Sequence, residues 1–400
     1  MTNETPSRPS RRSLLAWTGT TALTAATVSL GAAPASAATY PAHGSALLVP
    51  SARIDLNSPS ERWIREKATQ DATIIQALGY DNVNRHIYLA QVMQAGRQLT
   101  GESAPVTSAD RNRRGDLTIT KWDMDGNILG HMYLRGFGHG ANIGVEPVGS
   151  SAYLWIEADS VEVTDEKGNV SSRGTRLARF PFVNGQVLDT TSPTLAKYTP
   201  VPGSTRNSTT IDPVYGRLVI RYKDTDNGYK YQIHDLDLAR LGIFSEPLAT
   251  ISEPSLTALP GWPLTTYGKP YLQGYAAVGR YLYMLHGNSY GFTQDIDGTG
   301  PGGAVVISEP GVGNTFLSAV NLATGAFDPA PPVPFDKDVN PLHTTAAYTL
   351  KFREPEGLGV HIPDLARPGV FELGMGFASD GDDGKRKASI YGKAGLIQPA

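Results

Sequence analysis

The chain has 400 residues, including 43 glycines, 29 prolines and 18 tyrosines, and it contains no cysteine. Charged residues make up 18% and the formal net charge is −3, which argues against a coiled coil, a charged disordered chain and a basic nucleic-acid-binding surface. Disulfides and thiolate metal sites are excluded, and the wealth of turn-forming residues favours many short strands.

The first expected element is an export signal. Ser10-Arg11-Arg12-Ser13-Leu14-Leu15 has the look of a twin-arginine motif, a weakly apolar stretch follows from Ala16 to Ala33, and Ala35-Ser36-Ala37 fits signal peptidase. Thr18, Thr20, Thr21 and Thr24 dilute the apolar run, which favours a cleaved signal over an anchor. Residues 1–37 are therefore expected to be removed on secretion to the cell exterior, 38–59 to be a linker, and 60–395 to form one domain. No later apolar run is long enough to span a bilayer. Ser60–Glu66 is expected to form a short helical turn.

From there a pattern recurs, a polar turn followed by alternating aromatic and aliphatic residues. It reads His86-Ile87-Tyr88-Leu89, Tyr153-Leu154-Trp155-Ile156, Arg217-Leu218-Val219-Ile220 and Tyr281-Leu282-Tyr283-Met284. Anchored on Ile87, Leu154, Val219 and Leu282, the spacings are 67, 65 and 63 residues, and a weaker copy follows at Gly369–Leu373. A second alternating element lies between copies, at Leu117–Leu129, Thr175–Val187, Tyr231–Asp237 and Leu317–Phe327, three of them carrying Gly at the turn. Two hairpins per period make a four-stranded unit, and a ring of such units is a β-propeller. The expected fold is all-β, a single propeller of five blades, with six or seven blades as variants and a β-sandwich as the rival architecture.

A ring brings equivalent positions together around one channel mouth. Ahead of the paired strands lie the polar segments 73–76, 138–142, 203–210, 272–275 and 353–357. If these are inner strands, Gln76, His139, Arg206, Gln273, Glu354 and Glu356 gather at one end, with Asn142 and Asn207 beside them. Gln91, Glu157, Arg221 and His286 form a more peripheral set. Such polar groups beside aromatic walls suit a sugar or acidic-sugar site. Each residue also has a structural reading: a channel histidine bonded to backbone for His139, a blade-tying arginine for Arg206, an edge histidine for His86, and an ion pair with Arg353 for Glu354. Asp123–Asn127, Asp224–Gly228 and Asp295–Gly298 resemble fragments of calcium loops but lack the full ligand series, so turn chemistry explains them better. No cofactor is expected, and structural calcium is only weakly supported. P-loop and His-Glu-x-x-His motifs are absent from the sequence.

The stretches 138–147 with 153–157, and 203–213, resemble the propeller family shared by teichoic-acid biosynthesis protein C and staphylococcal phage receptor-binding, or baseplate, proteins. The resemblance extends over about residues 60–395 and implies a five-bladed propeller. A looser resemblance is to secreted propeller-type polysaccharide lyases that cut rhamnose–glucuronate linkages. β-Elimination needs a cation on the uronate carboxylate, a base for the C5 proton and an acid for the leaving oxygen. Arg206 can neutralise, His139 can act as base, and Tyr275 or His286 as acid, with Gln76, His86, Asn142, Asn207, Gln273, Glu354 and Glu356 binding substrate. The expectation is thus a monomeric, secreted polysaccharide lyase, with a glycoside hydrolase ranked below it. The alternative is a non-catalytic module binding a wall glycan or teichoic acid. Neither reading involves nucleic acid or, once the signal is removed, a membrane.

Overall fold

A computed structural model of the chain describes residues 50–165, 168–256, 270–287, 315–328, 333–334 and 350–399. The export signal and the Asp295 turn fall outside them. The described residues lie in one compact unit, Ser36–Ala400.

Alternation of apolar and polar residues builds five sheets, each with an inner strand followed outward by antiparallel neighbours. Blade 1 comprises Ile75–Asp81, His86–Val92, Leu117–Trp122 and Ile128–Arg135. Blade 2 comprises Gly144–Val148, Ser151–Thr164, Val170–Pro181 and Ala196–Tyr198. Blade 3 runs through Thr205–Asp212, Arg217–Lys223, Tyr229–Asp235 and Ala249–Ser252. In blade 4, Tyr271–Val278, Tyr281–Gly287 and Phe316–Asn321 are followed by the short strands Ala326–Phe327 and Val333–Pro334. Lys351–His361, Glu372–Asp380 and Arg386–Lys393 form blade 5, and Glu61–Lys67 supplies its outermost strand. The expected five-bladed propeller is the observed fold.

Each seam between blades is filled by one apolar cluster. Leu117 and Ile119 pack with Leu154 and Ile156 between blades 1 and 2, and Trp155 and Leu177 with Leu218 and Ile220 between blades 2 and 3. The remaining seams are filled by Val219, Ile233, Leu282 and Met284, by Leu285, Leu317, Leu373 and Met375, and by Ile64, Ile390, Leu89 and Trp122. Burying one such side chain contributes roughly 1.5–3 kcal/mol, so the seams carry the fold.

Three local expectations fail. Ser60–Glu66 is not helical: Glu61–Lys67 pairs antiparallel with Arg386–Lys393 and closes the ring, because the last sheet needs an outer strand and local propensity yields to that pairing. Thr175–Val187 is not a hairpin within its own blade, since Val187–Asp189 leaves it to run parallel to Tyr133–Arg135 of blade 1. Arg53–Ile54 pairs with Leu396–Ile397, so ordered pairing begins before residue 60 and ends after 395. Two short helices occur among the described residues. Ser108–Arg114 is capped by the Thr107 side chain and ended by left-handed Gly115, and Leu236–Arg240 is capped by Asp235.

Candidate functional site

All five inner strands begin at the same end of the ring, and four of them are irregular there. In blade 1 the register jumps from Ile75 opposite Gln91 to Ala77 opposite Ala90, leaving Gln76 as the extra residue. Blade 3 has one extra residue between Thr205 and Ser208, the segment of Arg206 and Asn207. Blade 4 has one between Leu272 and Gly274, which is Gln273. Blade 5 has two, between Lys351 and Glu354 and between Pro355 and Leu358, the latter at Glu356 and Gly357. A β-bulge breaks the alternation of faces and re-aims a side chain. Gln76, Arg206, Gln273 and Glu356 are thereby released from the pleat at one mouth. In blade 2 a loop takes the place of a bulge, with His139 and Asn142 leading into Gly144–Val148.

One side of the mouth is cationic. The His139 loop is held by the buried Glu157 carboxylate, whose Oε1 accepts from His139 N at 2.9 Å and Gly140 N at 2.7 Å and whose Oε2 accepts from Gly174 N. Burial raises the Glu157 pKa despite these bonds and nearby Arg173. The His139 pKa is held well below 6.5, first by burial and then by Arg173 and Arg206, so the imidazole stays neutral at neutral pH. Its Nδ1 has no hydrogen-bond partner among the described residues. Arg206 adopts a left-handed φ of 54° and donates to the Tyr229 hydroxyl at 3.4 Å. Neither Arg173 nor Arg206 forms an ion pair with a described residue, and both are half-buried. Arg221 differs: it pairs with Glu253 through two contacts of 2.6 and 3.1 Å, and its guanidinium lies 3.7 Å from the centre of the Tyr229 ring.

The other side carries amides and carboxyls. Gln273 Nε2 donates to Glu354 Oε1 at 3.3 Å across blades 4 and 5. Burial raises the Glu354 pKa against the pull of Arg386 and Gln273. Glu356 is 5% exposed, and burial followed by the neighbouring Glu354 lifts its pKa well above 4.5. No described residue donates to its carboxyl, so burial favours the protonated form without a compensating bond. Among the described residues, half-buried Gln76 hydrogen-bonds only its neighbour, donating to Ile75 O at 3.5 Å.

The remaining expected site residues are buried behind the mouth or lie away from it. Tyr275 is 1% exposed, and its hydroxyl is engaged with Ser208 Oγ at 3.3 Å and Arg221 N at 3.2 Å. It ties blade 4 to blade 3, and burial raises its pKa, so the expectation of an accessible acid there is corrected. His286 pairs with Leu272 at the mouth end of its strand but is 2% exposed and sits in the field of Glu253. His86 lies opposite Asp81, at the far end of blade 1 from Gln76, and does not join the cluster. Asn142 and Asn207, each 1% exposed, lie within the mouth's inner wall rather than on its rim. Gln91 is spent internally on Thr73 O and Asp71 O. Glu354 faces Arg386 and Gln273. Arg173 and Tyr229 were not singled out by the sequence: they sit on third strands, and only the ring closes them onto the mouth.

Among the described residues no group of three or more His, Cys, Asp or Glu is placed to hold a metal. Asp123 accepts from Asp125 N and Asn127 N, and Asp224 and Asp226 pair with Lys230, so both acidic turns use their carboxylates locally.

Comparison with known proteins bears on this architecture. The family model described as the phage five-bladed β-propeller receptor-binding platform domain matches residues 74–295. The putative major teichoic acid biosynthesis protein C of Bacillus subtilis (strain 168) is 26% identical over 342 residues, 84% of this chain, and the match spans 63% of that relative's length. The tail fibre of Staphylococcus aureus phage P68 superposes with a TM-score of 0.55 at 17% identity, over 86% of this chain and 54% of the fibre, a likeness of fold. The chain belongs to the family of the phage five-bladed β-propeller receptor-binding platform domain.

Proposed function

We propose that the protein is an extracellular glycan-binding propeller that holds an anionic cell-wall polymer at the mouth built by Gln76, His139, Arg173, Arg206, Gln273, Glu354 and Glu356. One observation carries the reading. Arg173 and Arg206 flank a neutral imidazole and neither makes an ion-pair contact with a described carboxylate, Arg173 only sensing the field of Glu157, whereas Arg221 beside them is fully paired. Half-buried guanidinium groups left unpaired suit a phosphate or carboxylate, which they can bind through two parallel hydrogen bonds. The amides and carboxyls opposite suit hydroxyls. The relatives' names, a teichoic acid biosynthesis protein and a phage tail fibre, agree with a wall polymer as ligand. The twin-arginine pattern in residues 1–37 is the basis for placing the protein outside the cell.

Titration of the purified protein with a polyol phosphate polymer, polygalacturonate and a neutral glucan tests this. Binding of a charged polymer that weakens with salt and drops about tenfold or more in Arg206→Ala is expected. Equal binding of the neutral glucan would overturn it.

A second reading, β-elimination, is favoured by the neutrality of His139 beside Arg206. His139 would take the C5 proton of a uronate while the C4–O bond breaks, leaving a C4–C5 double bond. With Tyr275 buried, the Tyr229 hydroxyl next to Arg206 would protonate the leaving oxygen. Ultraviolet absorbance of the unsaturated product, lost in His139→Ala, is expected on this reading. Binding without product leaves the adhesive function alone.

A further inference from the structure

The propeller axis is closed beneath the mouth. Gly357 is in backbone contact with blade 1, where an added β-carbon would stand 2.7 Å from Leu78 N and 2.9 Å from Ala77 Cα. Gly274 of blade 4 meets blade 5 in turn, its β-carbon position being 2.7 Å from Gly357 Cα. From the opposite side Asn142 reaches across to blades 4 and 3, donating to Tyr275 O at 2.9 Å and Thr209 O at 3.4 Å. One level deeper, Gly79 packs on Ile143 and Val145, and Gly144 on Ile211. All five blades thus meet at the axis, and a polymer entering the mouth has no way through.

The inner wall retains unused hydrogen-bonding capacity. Asn142 Oδ1 and Asn207 Nδ2 have no partner among the described residues, and each residue is 1% exposed. The Glu356 carboxyl, on a residue 5% exposed, receives no donor from a described residue. Buried polar groups are paired as a rule, so an acceptor, a donor and a carboxyl near the axis of one blind cup point to a hydroxyl-bearing group inserted to their depth. A polymer lying across the mouth would meet the arginines and leave these groups unpaired. A terminal unit has the free hydroxyls and the single attachment that a closed cup requires.

We infer, on the basis of the anionic-polymer reading above, that the mouth receives the terminal unit of the polymer, with its hydroxyls toward Asn142, Asn207 and Glu356 and its first anionic group against Arg173 and Arg206. Recognition is then end-on, one propeller per chain end.

The probe is a glycerol phosphate polymer linked through its primary hydroxyls, prepared as short and long fractions. In such a polymer only the terminal glycerol carries a vicinal diol, which periodate cleaves while leaving internal units intact. Sedimentation and calorimetry should give one propeller per chain at every length, with affinity per chain unchanged. Periodate followed by borohydride should weaken binding about tenfold or more, and Gln273→Ala should weaken binding of the untreated polymer far more than of the treated one. A number of bound propellers rising in proportion to length, or binding indifferent to periodate, would overturn end-on recognition while leaving the anionic-polymer reading standing. Failure to bind every fraction at low salt would overturn both.

Discussion

The two ends of the propeller use the same residue types in opposite ways. At the end away from the mouth, polar side chains stitch one blade to the next. Asp212 accepts from Val214 N, Tyr215 N and Gly279 N, while Arg217 donates to Gly279 O, joining blades 3 and 4. Asn82 donates to Val360 O and accepts from Ile362 N, joining blades 1 and 5. Asn84 donates to Gly149 O, joining blades 1 and 2. There the inner-strand ladders are regular. At the mouth the ladders bulge, Arg173 and Arg206 lack ion pairs among the described residues, and Asn142, Asn207 and Glu356 keep unmet polar atoms or carboxyls. A paired network rigidifies, whereas an unpaired one is held in place by the rest of the fold and left available for a ligand.

The largest effect that can break this contrast is expected at the stitched end. Asp212→Ala removes three backbone hydrogen bonds and leaves Arg217, 1% exposed, without its buried countercharge. A loss of about 3–5 kcal/mol is expected in denaturant unfolding, with ligand affinity unchanged per folded molecule. A comparable loss of affinity would place the binding function at the wrong end.

At the mouth the trade runs the other way. Arg206→Gly removes a cation and places glycine at a left-handed φ of 54°. Stability should rise by up to about 1 kcal/mol, while affinity for an anionic polymer falls about tenfold. Stability falling together with affinity would show that Arg206 is part of the scaffold.

Glu356→Gln sharpens the comparison through pH. The folded-state pKa of Glu356 lies well above its ordinary 4.5, so between those two values the folded chain holds a proton that the unfolded chain has lost. Wild-type stability should therefore decline as pH rises through that window, by at most about 1.4 kcal/mol per pH unit from this group. The glutamine variant should lose that component, as read from unfolding midpoints across the pH range. Identical pH profiles would mean that the carboxyl ionises freely in the folded protein.

The smallest effect belongs to His86→Ala. At the end remote from the mouth, half-buried and outside the cluster, it should change affinity not at all and stability by no more than about 0.5 kcal/mol. A loss of polymer binding would restore it to the site.

The sequence carried the fold further than the site. The spacing of Ile87, Leu154, Val219 and Leu282 lands in the second strand of four successive blades, because a strand buried on both faces must repeat its apolar pattern whenever the ring repeats its sheet. Gln76, Arg206, Gln273 and Glu356 were legible as members of the polar segments ahead of the paired strands, and all four lie at one mouth. Tyr275 read as an accessible acid, and only the packing of blade 4 on blade 3 turned its hydroxyl inward. Arg173 gave no warning, since nothing local distinguishes it from any other charge on a long hairpin.

What the sequence determined by itself is the repeat, hence the five-bladed ring and the end at which its polar residues collect, because strand period and turn chemistry are local properties. Tertiary structure alone decided which of those residues gather at the mouth, which are consumed in stitching blades, and how closely the inner strands approach one another. Bulges, ion pairs and backbone contacts at Gly274 and Gly357 arise between strands far apart in the chain. No local pattern records a distance that exists only once the ring has closed.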